Sequence, residues 1–206
     1  MLHISEIVKK TEDLFDLLNE HFYNGELTRP AITVSPDGGR GAYGWCSVSE
    51  IWKAGDDMHR EINLCAEYLD RPMPEVCATM LHEMAHLYNL QHGIEDVSNN
   101  GYYHNKRFKD TAEAHGLSIA KHDKYGWTIT TLTDDASEWL AVILGDDAIH
   151  AARLPEGSAI GGNSSGRSKS KNRSIKYVCP ECATIIRATR EVNVVCGDCD
   201  VPFERE

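Results

Sequence analysis

The sequence predicts an α+β fold: a mixed helix and strand body followed by a small β module stapled by metal. Three observations point there. A helical stretch at 74–91 carries the pattern His82-Glu83-x-x-His86 on an apolar face. Short apolar segments bounded by Gly, Pro and Asn turns surround it and read as strands. Two CxxC pairs, Cys179/Cys182 and Cys196/Cys199, close the chain behind a stretch with almost nothing to bury.

Taken in order, Ser5 is placed to cap a helix running to Tyr23, with Ile7, Leu14, Phe15, Leu18 and Phe22 at helical spacing and Asn24-Gly25 as its stop. Residues 31–34 read as a strand ended by the Ser35-to-Gly39 turn, and 41–48 as a second strand weakened by glycine. Residues 60–65 alternate polar and apolar, which predicts a half-buried strand whose edge could pair with an extended peptide. Pro72 and Pro74 prepare the 74–91 helix, and Gly93 follows its end. A helix over 104–115 is stopped by Gly116; 117–153 resists placement, and 136–144 could be helix or buried strand. Residues 155–174, rich in Gly, Ser, Lys and Arg, predict a flexible basic linker. The segments after Cys182, at 184–190 and 192–195, read as a hairpin.

Charge separates the ends of the chain. The net charge is -11, yet residues 1–156 hold 13 Lys and Arg against 26 Asp and Glu, whereas 167–190 hold 7 against 1. That asymmetry predicts an acidic body with a basic tail. The longest apolar run, 139–144, is far too short to span a bilayer, and the opening residues lack a signal-peptide core, so a cytoplasmic protein with no membrane partner is expected. In a reducing compartment the CxxC pairs favour metal over disulfides, and four thiolates at this spacing suit one tetrahedral zinc. Cys46, Cys65 and Cys77 read as small buried apolar residues.

His82 and His86, four apart on a helix, aim two imidazoles at one point with Glu83 beside them. Hydrolytic zinc takes three protein ligands and one open position, and a neighbouring carboxylate can deprotonate the water there. The third ligand has two candidates. His92 lies six residues after His86, as in metzincins but with Asn89 where those have glycine, and with no methionine after His86 for their methionine turn. His104 follows a glycine-containing loop, and Glu113 is a more distant choice. Iron, nickel and copper also suit imidazole. Tyr43, Tyr102 and Tyr103 could stabilise an oxyanion. His3, His21, His59, His115, His122 and His150 show no ligand spacing and read as surface or core residues.

The segments "LNEHFYNGEL", "INLCAEYL", "LHEMAHLY" and "YYHNKRFK" resemble the SprT-like (Spartan-type) zinc metalloprotease family, over about residues 5–120, and the CxxC pairs match the zinc ribbon that many of its members carry. The resemblance implies a zincin-like protease domain at 1–154, the linker at 155–174 and a four-cysteine zinc ribbon at 175–206. It implies His82, His86 and His104 as ligands of a catalytic zinc and Glu83 as the base. A second, structural zinc would sit on Cys179, Cys182, Cys196 and Cys199. The protein substrates implied by analogy are associated with or crosslinked to DNA. Lys169, Lys171, Arg173, Lys176, Arg187 and Arg190 are the residues that could touch phosphates. Two other readings stay open: a repressor-cleaving protease of the ImmA/IrrE kind, and a non-catalytic zinc-ribbon nucleic-acid-binding protein.

Overall fold

The structure, a computed structural model, describes residues 3–38, 41–145, 149, 151–154 and 175–205. The linker predicted over 155–174, with Lys169, Lys171 and Arg173, lies outside the described residues, as does His150. The chain divides into two compact units, Met1–Pro155 and Glu156–Glu206. Among the described residues no helix is long and apolar enough to cross a membrane.

In the first unit, helix α1 (Ile4–Tyr23) buries Ile7, Leu14, Phe15 and Leu18 along one stripe. Its N-cap is His3, not Ser5, and no side chain caps it; Ser5 already lies inside the first turn. Asn24 ends the helix in the left-handed conformation, φ 53°, with its N–H donating to the Asn19 carbonyl. The first sheet has the order β1 (Ala31–Ser35), β5 (Glu61–Cys65), β2 (Gly44–Cys46), with β5 parallel to β1 and antiparallel to β2. Strand β5 is thus central, and Ile62, Asn63, Leu64 and Cys65 are all buried. Its alternating sequence disguises this because Asn63 is buried as an acceptor for the Thr33 and Ser35 hydroxyls. Both edges of β5 are used, so the expected pairing of a peptide with 60–65 is overturned. The edge strands of this sheet are β1 and β2. Along the chain between β2 and β5 lies a small hairpin, β3 (Trp52–Ala54) and β4 (Asp57–His59), that periodicity did not reveal.

After a single 3-10 turn (Ala66–Tyr68), helix α2 (Met73–Gln91) runs through the core. Val76, Met80, Leu81, Met84 and Leu87 are each at most 2 % exposed. Helix α3 (Lys106–Ala114) starts later than its sequence pattern suggests, because the Asn105 side chain accepts from the N–H groups of Arg107 and Phe108 and so fixes the cap there. His104 therefore sits before the helix, on the two-residue strand β7 (Tyr103–His104). The segment that resisted placement forms a hairpin, β8 (Leu117–His122) and β9 (Gly126–Leu132), and then helix α4 (Asp134–Leu144), capped by the Thr133 hydroxyl. With β6 (Val97–Ser98) these strands make a second sheet in the order β6-β7-β9-β8.

The second unit contains β10 (Ile175–Val178), flanked antiparallel by β11 (Ile185–Ala188) and β12 (Glu204–Arg205). The hairpin expected between 184–190 and 192–195 does not form: β11 pairs backward with β10, ahead of the first CxxC pair, and 192–195 contributes one bridge, Val195 to Pro202. The local pattern could not show this because the partner strand lies outside the CxxC pairs.

Candidate active site

Helix α2 brings His82 and His86 one turn apart, their ring centroids 5.1 Å from each other. The second sheet delivers the third ring. The His104 N–H donates to the Tyr125 carbonyl, and His104 pairs with Gly126 at the start of β9. Gly126, at φ +76°, lets the strands close there; a Cβ would strike the His104 carbonyl and the Tyr103 ring. The result places His104 Nε2 at 3.2 Å from His82 Nε2 and 3.1 Å from His86 Nε2. Phe108, fully buried, lies against all three rings at 4.6 to 4.7 Å.

Partners behind the rings decide which nitrogens face inward. The Asp96 carboxylate, which can only accept, accepts a hydrogen bond from His86 Nδ1–H at 2.7 Å, so His86 Nε2 presents a lone pair. Asn89 Nδ2 donates to the same carboxylate while Asn89 Oδ1 accepts from the Thr111 hydroxyl. Thr130 Oγ1 meets His82 Nδ1 at 2.8 Å. His104 Nδ1 is buried without a partner of hydrogen-bond geometry. Burial, followed by the nearby His86 and His104 rings, holds His82 well below the ordinary histidine value. Burial and the His86 ring lower His104 to about 4, the Tyr125 carbonyl offsetting only part of this. Burial also pulls on His86, but the Asp96 hydrogen bond with the Glu83 and Asp96 charges raises it overall. The three Nε2 atoms converge on one point, and His82, His86 and His104 form a group that could hold a metal ion.

Glu83, 6 % exposed, stands on the same turn. Burial raises its carboxyl to about 7, against the pull of His86 and the Cys46 N–H. The glycine at 44 permits this proximity: a Cβ there would lie 2.8 Å from the Asn63 carbonyl and 3.3 Å from Glu83 Cγ. The site opens into a cleft of about 1480 Å³.

The other candidates fall elsewhere. Helix α2 continues unbroken past Asn89 to Gln91, so six residues on from His86 the chain has rotated by roughly 240°. His92 accordingly faces away, stacked on Tyr88 at 4.0 Å and bonded to its carbonyl through Nδ1. Glu113 pairs with Lys109 on α3. Tyr43 lines the cleft under the Arg71 guanidinium; Tyr102 is 72 % exposed, and Tyr103 packs at Gly126. His21 stacks on Trp139 and His115 on Tyr23. Of the remaining cysteines, Cys65 and Cys77 are buried, while Cys46 is half-buried against the site. Asp96, Thr130 and Tyr125 also belong to the cleft, and sequence reasoning missed them. An Asp ten residues after a ligand, or a Thr in an unplaced segment, carries no local signal.

In the second unit Cys179, Cys182, Cys196 and Cys199 form the other group that could hold a metal ion. The Thr184 hydroxyl and N–H pull the Cys182 thiol down to about 6, and Cys182 in turn pushes Cys199 up to about 12. Lys176 and Arg187 face one another across β10 and β11.

A model of the SprT-like family matches residues 11–125, which spans α1 through β8 and includes all three histidines. The chain belongs to the SprT-like family. Membership carries a function of metalloprotease type, and the C-terminal cysteine cluster is compatible with a zinc ribbon. Comparison with curated proteins and with solved structures gave no match. Thr130, the rest of β9, α4 and the cysteine unit lie beyond the match.

Proposed function

We propose that this SprT-like chain is a zinc-dependent endopeptidase: a zincin-like protease domain at 1–154, a basic linker at 155–174 and a four-cysteine zinc ribbon at 175–206. The observation that carries the reading is the meeting of three imidazole Nε2 atoms beside a buried carboxylate in an open cleft. Zinc on His82, His86 and His104 would polarise the scissile carbonyl and acidify a water. Glu83 takes the proton of the attacking water and later gives it to the leaving amine, a task suited to a carboxyl raised to about 7. Asp96 holds His86 in the tautomer that faces the cleft, and Thr130 fixes His82. The open edge of β2, beside Glu83, can pair with an extended substrate.

The substrates proposed are proteins associated with or crosslinked to DNA in the cytoplasm. The basic residues Lys169, Lys171, Arg173, Lys176, Arg187 and Arg190 support this as phosphate contacts on an otherwise acidic chain. A repressor-cleaving protease would use the same triad without need of DNA, and a non-catalytic DNA-binding protein would not need Glu83.

Cleavage of casein or histone with and without single-stranded DNA, by wild type and Glu83→Gln, separates these readings. Wild type is expected to cut and the variant to keep two zinc ions per chain while losing turnover; equal cutting by both overturns the assignment. Replacing both His82 and His86 should leave one zinc. Deleting 157–206 should abolish a steeply salt-dependent DNA affinity, and affinity that survives the deletion removes the role of the tail.

A further inference from the structure

We propose that β9 is a second substrate-binding edge, so that the polypeptide to be cut is held between two strands, β2 on one side and β9 on the other. The proposal rests on the peptidase reading and adds to it.

Strand β9 is paired with β8 from Gly126 to Leu132, with a register shift at Thr128, but on its other side β7 reaches it at one position, His104 to Gly126. Directly after His104 the chain turns away into α3. From Trp127 onward no strand pairs with that side among the described residues. The ladder fixes which groups point there. The Thr133 N–H donates to the Gly116 carbonyl, and the register runs Leu132 to Leu117, Thr131 to Ser118 and Thr130 to Ile119. Hydrogen-bonded pairs alternate in an antiparallel ladder, so Thr131 bonds β8 while the N–H and C=O of Thr130 and Leu132 face the open side.

That side lies on the reaction centre. Thr128, Thr130 and Leu132 line the same cleft as His82 and Glu83, and the Thr130 hydroxyl touches His82. The open edge therefore begins at one imidazole of the triad and runs past another. Residues 128–132 are Thr, Ile, Thr, Thr and Leu, with neither charge nor proline to guard the edge; the register shift at Thr128 is its one irregularity. The outer strand β8, by contrast, ends on Lys121 and His122. An uncharged edge with outward N–H and C=O groups at two-residue intervals matches the backbone of an extended polypeptide. Glu75, Glu95 and Asp96 in the cleft disfavour a polyanion. An occupant read by its backbone on both sides is a single unfolded strand, and cleavage is then tolerant of side-chain sequence but closed to folded segments.

The test uses the full-length zinc-loaded protein and one cleaved peptide, N-methylated at one residue at a time on both sides of the scissile bond. Successive N–H groups of an extended chain point to opposite sides. Two edges predict losses in kcat/KM of roughly tenfold at neighbouring positions of both parities. Losses at alternate positions only, the signature of β2 alone, overturn the proposal. A second arm compares Leu132→Pro, which removes one outward N–H, with Leu132→Ala, which keeps it. At equal zinc content the proline variant should show a KM roughly tenfold above the alanine variant. Equal KM values overturn the proposal; a proline variant that fails to fold leaves the N-methyl series to decide. If wild type cuts no peptide at all, the peptidase reading itself falls, and this inference with it.

Discussion

The first unit surrounds its three histidines with a hydrophobic core, in which α1, β5, α2 and α3 bury Phe15, Leu18, Ile62, Met80, Leu81 and Phe108 almost completely. In the second unit the buried side chains among the described residues are Tyr177, Cys179 and Cys196, two of them from the cysteine cluster itself. A metal at the histidines would thus be placed by a fold that forms for other reasons, with Asp96 and Thr130 holding the rings in position beforehand. A metal at the cysteines would supply the centre around which three short strands close, as so small a core requires. The same element in one protein would be a reagent in one unit and a structural staple in the other.

Substitutions and metal removal test this contrast. The largest effect is expected from Glu83→Gln, with turnover down by roughly 10²- to 10⁴-fold while both units stay folded and zinc content is unchanged, read by steady-state cleavage and metal analysis. A loss of folded signal in that variant would mean that the first unit depends on its site for stability. Next, exhaustive chelation should collapse the second unit and spare the first. In amide spectra the resonances of 175–205 should lose dispersion while those of α1 and α2 persist, and Cys196→Ser should reproduce the collapse without chelator. Coordinate melting of both units would erase the distinction.

Smaller effects test the supports of the triad. Asp96→Asn should weaken zinc binding in the first unit by roughly 10- to 100-fold, measured by competition with a chromogenic chelator, and leave the cysteine site untouched. Gly126→Ala, which drives a methyl into His104 and Tyr103, should cost about 1–3 kcal/mol in denaturant unfolding. Thr133→Ala removes the cap of α4, touches no triad histidine, and should cost about 1 kcal/mol with no change in metal affinity.

Much of this was legible in the chain. The helices α1 and α2 announce themselves by a buried stripe at 3.6-residue spacing, and the CxxC pairs by their separation. Strand β5 misled because Asn63, polar by composition, is buried against hydroxyl donors, so its alternation imitated a half-exposed strand. Residues 117–153 were opaque because β8 and β9 are defined by pairing with each other and with β7, and no window of sequence contains that relation.

Residue order already names the chemical groups available: two imidazoles and a carboxylate locked on one helix by periodicity, and four thiolates at ligand spacing. Which histidine comes to lie beside those two, and what supports it, depends on the packing of separate elements. His92 and His104 are equally histidine on paper; an unbroken α2 turns one away, while a strand pairing across Gly126 carries the other to within 3.2 Å of its partners. Covalent spacing fixes what one rigid helix presents, but convergence of separate elements depends on packing and register, which act between residues that the chain keeps far apart.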